Sequence, residues 1–220
     1  EHLVAVPVRV TVTEAVRQAE LPFPAQDIID SAKSFATSLP DTDAPAPKAV
    51  YGDLVTSGDE AATEENYPAA MVAYRQALAI NPNDGAVWQA LAEAALRRAD
   101  AVAGQSEGDN SYDLSYVGSN AAMNAFLRAT EVETRASALR ALANSLEYRE
   151  MWREAIATYR LAVKLVPDAD IEAHLDDVVA QHGFRITDHV VDAEAASPRI
   201  CMVFSDPLGS TDLSAFVSVA

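Results

Sequence analysis

Cysteine, aromatic residues and positive charge are all scarce in this chain of 220 residues. The single cysteine, Cys201, excludes an intrachain disulfide and any metal site built from several cysteines. Only 7% of the residues are aromatic, although half are hydrophobic, and this composition suits close helix–helix contacts better than a deep cavity. The formal net charge is −17. A surface this negative repels nucleic acid and anionic lipid, so neither is an expected partner.

Long apolar runs are missing as well. No stretch approaches the roughly 18–20 apolar residues of a membrane-spanning helix, so no direct membrane insertion is predicted for this segment. The first residues, EHLVAVPVRV, lack the basic start and the long apolar core of an intact signal peptide. They also lack an initiator methionine, which favours a processed product or a part of a larger protein.

Enzyme signatures are absent from the sequence. It contains no G-x-S-x-G, H-E-x-x-H, Walker or G-x-G-x-x-G motif. We therefore predict no catalytic residues, no cofactor or cofactor-binding residues, and no enzymatic activity. No metal site is predicted, because no metal-ligand spacing is found among the four histidines, His2, His174, His182 and His189.

Two further features have a structural interpretation. The stretch DNSYD at 109–113 resembles the start of a calcium loop, but Leu114 and Asn120 occupy the places where such a loop needs Gly and Glu. Cys201 lies in an apolar run, which favours a buried structural thiol over a reactive one.

One pattern occurs twice in the chain, at an offset of 85 residues. NYPAAMVAYRQALAINPND begins at Asn66, and MWREAIATYRLAVKLVPDA begins at Met151. The spacing within each copy is that of the tetratricopeptide repeat, a helix–turn–helix unit of about 34 residues. Small residues at fixed places allow two helices to approach closely, and proline ends the second helix. The matched pairs are Tyr67 and Trp152, Ala70 and Ala155, Tyr74 and Tyr159, Ala77 and Ala162, and Pro82 and Pro167.

Three such units are predicted over 51–183, which we interpret as a helical-repeat solenoid. The units are 51–84, 85–135 and 136–169, and a polar capping helix closed by Gly183 follows them. The middle unit is longer than a standard repeat because of an insertion near 99–119. This insertion is rich in Gly, Ser, Asn and Asp and is predicted to be a loop, either tolerated and partly mobile or in contact with a partner.

The two ends differ from the repeats. Residues 1–50 predict a strand over 3–12, a short helix around 25–38 and a Pro-rich linker, LPDTDAPAPK. The segment 184–220 is rich in Val, Ile and Phe and is predicted to form strands that are too few to bury a core alone. These strand-like runs are 184–191, 199–205 and 214–219.

The stretch HGFRITDHVVDAEAASPRICMVFSDPL follows directly on the predicted repeats. It resembles the N-terminal region of bacterial alpha-2-macroglobulin family proteins, in which such a stretch leads into the first β-sandwich, or macroglobulin-like, domain. The resemblance is specific over 182–217 and extends plausibly over 51–217. It implies a mainly α chain: a tetratricopeptide-like solenoid followed by a partial β-sandwich at 184–220.

The resemblance also implies a place and a role. The family is periplasmic or attached to the cell envelope, and it traps or inhibits proteases. Its thioester motif is absent here, and Cys201 is followed by Met202 and Val203, so it is not the thioester cysteine. The chain is then the N-terminal part of such an inhibitor, with the remaining domains of the parent protein among its partners.

The predicted repeats carry a candidate groove for a protein or peptide partner, lined by their first helices. Arg140 and Asn144 lie four residues apart on one helical face, a spacing able to hold a carboxylate, although a solvated face of mixed charge has the same pattern. A free-standing scaffold that binds a peptide in this groove is the alternative function, and an enzyme with an unrecognised site is the third. The candidate groove residues are Gln89, Glu93, Arg97, Arg140, Asn144 and Glu147.

Overall fold

The chain is mainly helical over the residues that the structure, a computed structural model, describes: 12–39, 50–105, 110–192 and 199–205. These ranges contain nine helices and one two-stranded antiparallel sheet. Each helix from α3 to α9 packs against the next one along the chain. The elements are α1 (Val12–Glu20), α2 (Gln26–Ser38), α3 (Tyr51–Thr63), α4 (Tyr67–Ile80), α5 (Gly85–Val102), α6 (Ser111–Arg128), α7 (Val132–Tyr148), α8 (Trp152–Leu165), α9 (Ala169–His182), β1 (Ile186–Asp192) and β2 (Arg199–Phe204).

The offset of 85 residues seen in the sequence is repeated in the backbone. Helices α4 and α8 have the same length, and each begins and ends at matched positions. The turns before them match as well, because Glu65 has φ +58° and Glu150 has φ +56°. Few residues other than glycine adopt this left-handed conformation, so its presence at both matched positions is a second, independent sign of the repeat.

Hydrogen bonds in the two turns follow the same pattern. Glu65 N donates to the carbonyl of Ala62, and Asn66 N donates to that of Ala61. In the second copy, Glu150 N donates to Glu147 and Met151 N donates to Leu146, again 85 residues later. Both turns thereby bind the last free carbonyls of the preceding helix, which ends α3 and α7 at equivalent places.

Asparagine and aspartate side chains begin four of the helices. Asn66 caps α4, Asp84 caps α5, Asn110 caps α6 and Asp168 caps α9, each by accepting a hydrogen bond from a backbone N–H of the first turn. Such caps bind donors that have no partner inside the helix. Residues 110–113 of the polar stretch DNSYD are therefore the start of α6, with Asn110 as its cap.

The repeat residues predicted to allow close packing are buried. The four alanines at matched places, Ala70, Ala77, Ala155 and Ala162, lie in the core, as do the tyrosines beside them. Gly58 on α3 faces Tyr74 so closely that an added Cβ would lie 2.4 Å from Tyr74 Cε1. Glycine fits this place because the ring occupies the space that a side chain would need.

Replacing Gly58 by alanine should lower the free energy of unfolding by about 1–3 kcal/mol, because the new methyl group overlaps the Tyr74 ring. The matched control is Gly52 on the same helix, where an added Cβ meets open space. Gly52→Ala should raise stability by up to about 1 kcal/mol through helix propensity alone. Urea unfolding of both variants tests this, and equal stability changes would contradict the close contact.

The predicted loop within 99–119 is wrong over most of its length. Helix α5 continues to Val102 and α6 begins at Ser111, so only 103–110 connect them. Helix α6 has no simple apolar stripe, and over its whole length it packs against α5, α7, α1 and α2. Its buried hydroxyls are bonded within the helix: Ser115 Oγ donates to Tyr112 O, and Ser119 Oγ donates to Tyr116 O.

The short helix predicted around 25–38 is present as α2, and its buried face packs against α6. Asn124 in α6 joins the two helices by donating to the backbone carbonyl of Ala32 at 2.8 Å. Helix α1 was not predicted. Arg17 in α1 donates to the carbonyl of Ala129, and Glu20 accepts from Arg135 in α7. The N-terminal helices are thus fixed to the middle of the repeats.

The capping helix is present as α9, and its exposed residues include Glu172, Asp176 and Asp177. Gly183 follows it as predicted, but with φ −69°, so it does not form a left-handed cap. An added Cβ at Gly183 would lie 2.4 Å from the Val179 carbonyl oxygen. Glycine fits this position because the backbone passes close to the last turn of α9.

Strands β1 and β2 form an antiparallel hairpin after α9, with Val190 opposite Cys201 and Asp192 opposite Arg199. Large apolar side chains are exposed along both strands, among them Val191, Ile200 and Met202. Cys201 is exposed too, so the prediction of a buried thiol is wrong. Its strand has no second layer covering it among the described residues. The predicted run 214–219, the linker, and the predicted N-terminal strand except for Val12 lie outside the described residues.

Candidate functional site

Helices α3, α5, α7 and α9 lie side by side and run in the same direction; we call them the odd-helix layer. The start of α3 is joined to the start of α5 by a hydrogen bond from Tyr51 Oη to Asp84. The end of α7 is joined to the end of α5 by a bond from Tyr148 Oη to Asp100. Helices α3 and α7 each also pack directly against α5. These contacts place α3, α5 and α7 beside one another, with equivalent ends together.

Helix α9 extends the layer beyond α7. Arg140 lies opposite Asp168 at 3.9 Å, and Glu147 Oε1 lies 2.8 Å from Nε2 of His174. The earlier residue of α7 meets the earlier residue of the α9 segment, and the later meets the later. The two helices therefore run in the same direction. The Tyr159 hydroxyl also donates to Glu147, so one carboxylate joins α7, α8 and α9.

The candidate groove residues fall into two sets. Gln89, Glu93 and Arg97 lie four residues apart along α5, and Gln89 Nε2 donates to Glu93 at 2.8 Å. Arg97 is exposed and forms no hydrogen bond or ion pair within the described part of the chain. The second set, on α7, is Arg140, Asn144 and Glu147.

The two sets are not joined by a polar contact among the described residues. Arg140 and Glu147 are both bonded to α9, and no hydrogen bond or ion pair among the described residues joins the α5 set to the α7 set. Asn144 is partly buried between them. The pair Arg140 and Asn144 remains a predicted carboxylate site, and a carboxylate bound there would compete with Asp168.

Tyrosine–carboxylate bonds hold the layer together, and they set the protonation of the phenols. Burial raises the pKa of Tyr159, and the hydrogen bond to Glu147 raises it further. The same two causes raise the pKa of Tyr51, Tyr74 and Tyr148, each beside an aspartate. These phenols stay neutral at pH 7 and donate hydrogen bonds, so they tie helices together and do not act as bases.

The main cleft of the layer lies between α3 and α5 and has a volume of about 340 Å³. Its lining is mostly apolar and includes two aspartates, each bound by a tyrosine: Tyr51 donates to Asp84 and Tyr74 donates to Asp59. A second cleft of about 110 Å³ lies between α7, α8 and α9, beside Arg140. The residues that line the main cleft are Tyr51, Gly52, Val55, Asp59, Tyr74, Asp84, Ala86, Val87 and Ala90.

The repeat pattern includes Tyr74 as a matched residue but does not indicate that Tyr51 is bonded to Asp84. One signal was available, because these two residues are 33 positions apart, close to one repeat length. Residues one repeat apart occupy equivalent places on neighbouring helices, so their side chains can meet.

Exposed aromatic residues occur at the start of α6. The hydroxyls of Tyr112 and Tyr116 lie 3.2 Å apart, and the Arg149 guanidinium stacks over the Tyr116 ring at 4.1 Å. Arg149 also donates to Ser119 Oγ. This contact joins the first turns of α6 to the turn between α7 and α8, so the segment predicted as an insertion is part of the helical packing.

Histidines take part in helix contacts. His174 packs edge-on against Tyr159, and His182 stacks on the Trp152 ring with 3.5 Å between centroids. Among the described residues, no group of three or more His, Cys, Asp or Glu side chains is placed to hold a metal ion. The same residues include no helix long and apolar enough to cross a membrane.

Comparisons with protein-family models and with curated proteins find no match to this sequence. The assignment to a family therefore depends on the quoted residues alone.

Proposed function

We propose that the chain is a non-enzymatic protein–protein interaction module, and that its partner binds on the odd-helix layer. The observation that carries this proposal is the parallel arrangement of α3, α5 and α7, which aligns equivalent positions of successive repeats on one surface. Exposed charged side chains of both signs, Glu93 and Arg97, lie on that surface beside an open cleft. In a tetratricopeptide-like solenoid this is the face that receives a partner.

The parent protein in this proposal is a bacterial alpha-2-macroglobulin-like protease inhibitor of the periplasm or cell envelope. Its support is the resemblance of residues 182–217, together with the hairpin β1–β2 that begins directly after α9. The hairpin exposes apolar side chains such as Ile186 and Val203, as expected of strands that further strands of a β-sandwich would cover.

The absence of catalysis is also part of the proposal. The polar clusters of the odd-helix layer serve as joints between helices: Glu147 holds Tyr159 and His174, and Asp84 holds Tyr51 and two backbone N–H groups. Carboxylates occupied in this way are poor nucleophiles or bases, since their lone pairs are already engaged.

A free-standing scaffold that binds a peptide is the second candidate, and the main cleft favours it because it is large enough for a side chain. The gene distinguishes the two proposals. A reading frame that continues after Ala220 into several β-sandwich domains would support the inhibitor, whereas one that ends near Ala220 would contradict it.

Partner binding is tested with peptides selected from a random phage-displayed library on the immobilised chain, measured by fluorescence polarisation. Arg97→Glu should raise the Kd of a selected peptide about tenfold, because it reverses one exposed charge on the proposed face. The matched control is Arg160→Glu on α8, also exposed and with the same change in charge. Failure to select any peptide, or equal losses in both variants, would contradict the proposed face.

A further inference from the structure

The main cleft between α3 and α5 is acidic over the described residues that line it. None of the residues that line it is Lys, Arg or His. Asp59 and Asp84 stand on its rim, and Glu93 lies close enough to act electrostatically on Tyr74. A concave surface lined by carboxylates attracts a cation and concentrates it locally.

The two aspartates are not equally available. Asp84 accepts from Tyr51 and from the backbone N–H groups of Ala86 and Val87, so its oxygens are occupied by the cap of α5. Asp59 is exposed, and its carboxylate accepts one hydrogen bond among the described residues, from the Tyr74 hydroxyl at 2.8 Å. A carboxylate has about four acceptor positions, so Asp59 retains capacity for an incoming donor.

The walls of the cleft suit an alkyl chain. Val55 of α3 and Val87 and Ala90 of α5 line the cleft, together with Tyr51 and Tyr74. Long cationic side chains bury their methylene stems on such surfaces while the charged end remains at the rim. The volume of about 340 Å³ is at the small end of binding pockets, a size that fits one long side chain.

We infer that this cleft binds the side chain of a lysine presented by the partner, with its stem along Val55, Val87 and Ala90 and its ammonium on Asp59. Lysine is favoured over arginine because arginine binds best through a fork to two free carboxylate oxygens, and one oxygen of Asp59 already holds Tyr74. The net charge of −17 helps any basic partner to approach. This inference rests on the proposed function, since the cleft is one end of the odd-helix layer.

The test uses N-acetyl-lysine methylamide as the probe and N-acetyl-norleucine methylamide as its neutral control. The lysine derivative should produce saturable shifts in the backbone amide signals of Gly52, Val55 and Ala90, and the norleucine derivative should bind at least about tenfold more weakly. Asp59→Asn keeps an oxygen for Tyr74 but loses the charge, and it should weaken lysine binding about tenfold or more.

The control for charge alone is Asp177→Asn on α9, which is exposed and changes the net charge by the same amount. It should leave lysine binding unchanged. Equal binding of the two probes, no saturable shifts at the cleft, or equal weakening by both asparagine variants would overturn the inference. Thermal melting of each variant confirms that it is folded before titration.

The two experiments distinguish failure of the lysine site from failure of the proposed function. Peptide binding that depends on Arg97 while the lysine probe fails would overturn the lysine site alone. Lysine binding at the cleft without any selectable peptide would support the site and contradict the partner-binding face.

Discussion

Replacing Trp88 by alanine should lower the free energy of unfolding by about 3–5 kcal/mol, the largest loss that we expect from a single change in this chain. Trp88 is fully buried at the start of α5. Its Nε1 donates to the Pro82 carbonyl at 2.9 Å, and its ring contacts Phe35 of α2 and the Arg128 guanidinium of α6. Truncation therefore opens a cavity where α2, α5 and α6 meet.

The matched control is Trp152→Ala. Trp152 occupies the first-turn position of α8, is only partly buried and stacks on one neighbour, His182. Its loss should cost about 1–2 kcal/mol, because less of the side chain leaves a close-packed environment. Urea unfolding followed by circular dichroism gives both values. If Trp88→Ala lowers the free energy of unfolding no more than Trp152→Ala does, Trp88 is not the centre of the core.

Replacing Asn124 by leucine should cost about 2–4 kcal/mol although the two side chains are similar in size. The Asn124 amide donates to Ala32 O and Asn120 O, and its oxygen accepts from Arg128 Nη1 at 2.7 Å. Leucine would remove all three of these bonds. The two carbonyls keep their backbone bonds within α2 and α6, but the half-buried Arg128 guanidinium would face an apolar side chain in place of an acceptor, and bonds to a charged group are the costly ones to lose.

Hydrogen exchange distinguishes this effect from general destabilisation. Because Asn124 joins α6 to α2, amide protection in α2 should fall more than protection in α8. Asn83→Leu, at an exposed position before α5, should change stability by less than about 0.5 kcal/mol. A uniform loss of protection across all helices would show that the hydrogen bond to Ala32 is not what holds α2.

The repeats were predictable because their signal is local. Alanine, tyrosine and proline recur at a fixed offset, and each acts within a helix pair, so α4 and α8 appear where the pattern places them. Helix α6 was only half predicted for the opposite reason. Its first turns contain Gly118, Ser119 and Asn120, which favour loops by propensity, and they become helical because neighbouring helices bury them.

The candidate groove was predicted in part. Alignment of the repeats placed Gln89, Glu93 and Arg97 on one helix, and the structure has them there. It could not reveal that Arg140 and Glu147 are bonded to α9, or that Tyr51 reaches Asp84, because these bonds depend on how one helix lies on the next. The exposure of Cys201 has a similar cause, since its apolar strand does not indicate whether a second layer covers it.

Because α2 packs on α6, its apolar face is made well before the surface that covers it. Ala32 and its partner Asn124 are 92 residues apart in sequence. At a synthesis rate of about 5–20 residues per second, the apolar face of α2 waits roughly 5–20 s on the ribosome before its site on α6 exists. During that time the buried side chains of α2, Ile28 and Ile29 among them, lack the native surface that α6 supplies, which makes α2 a natural binding segment for a chaperone during translation.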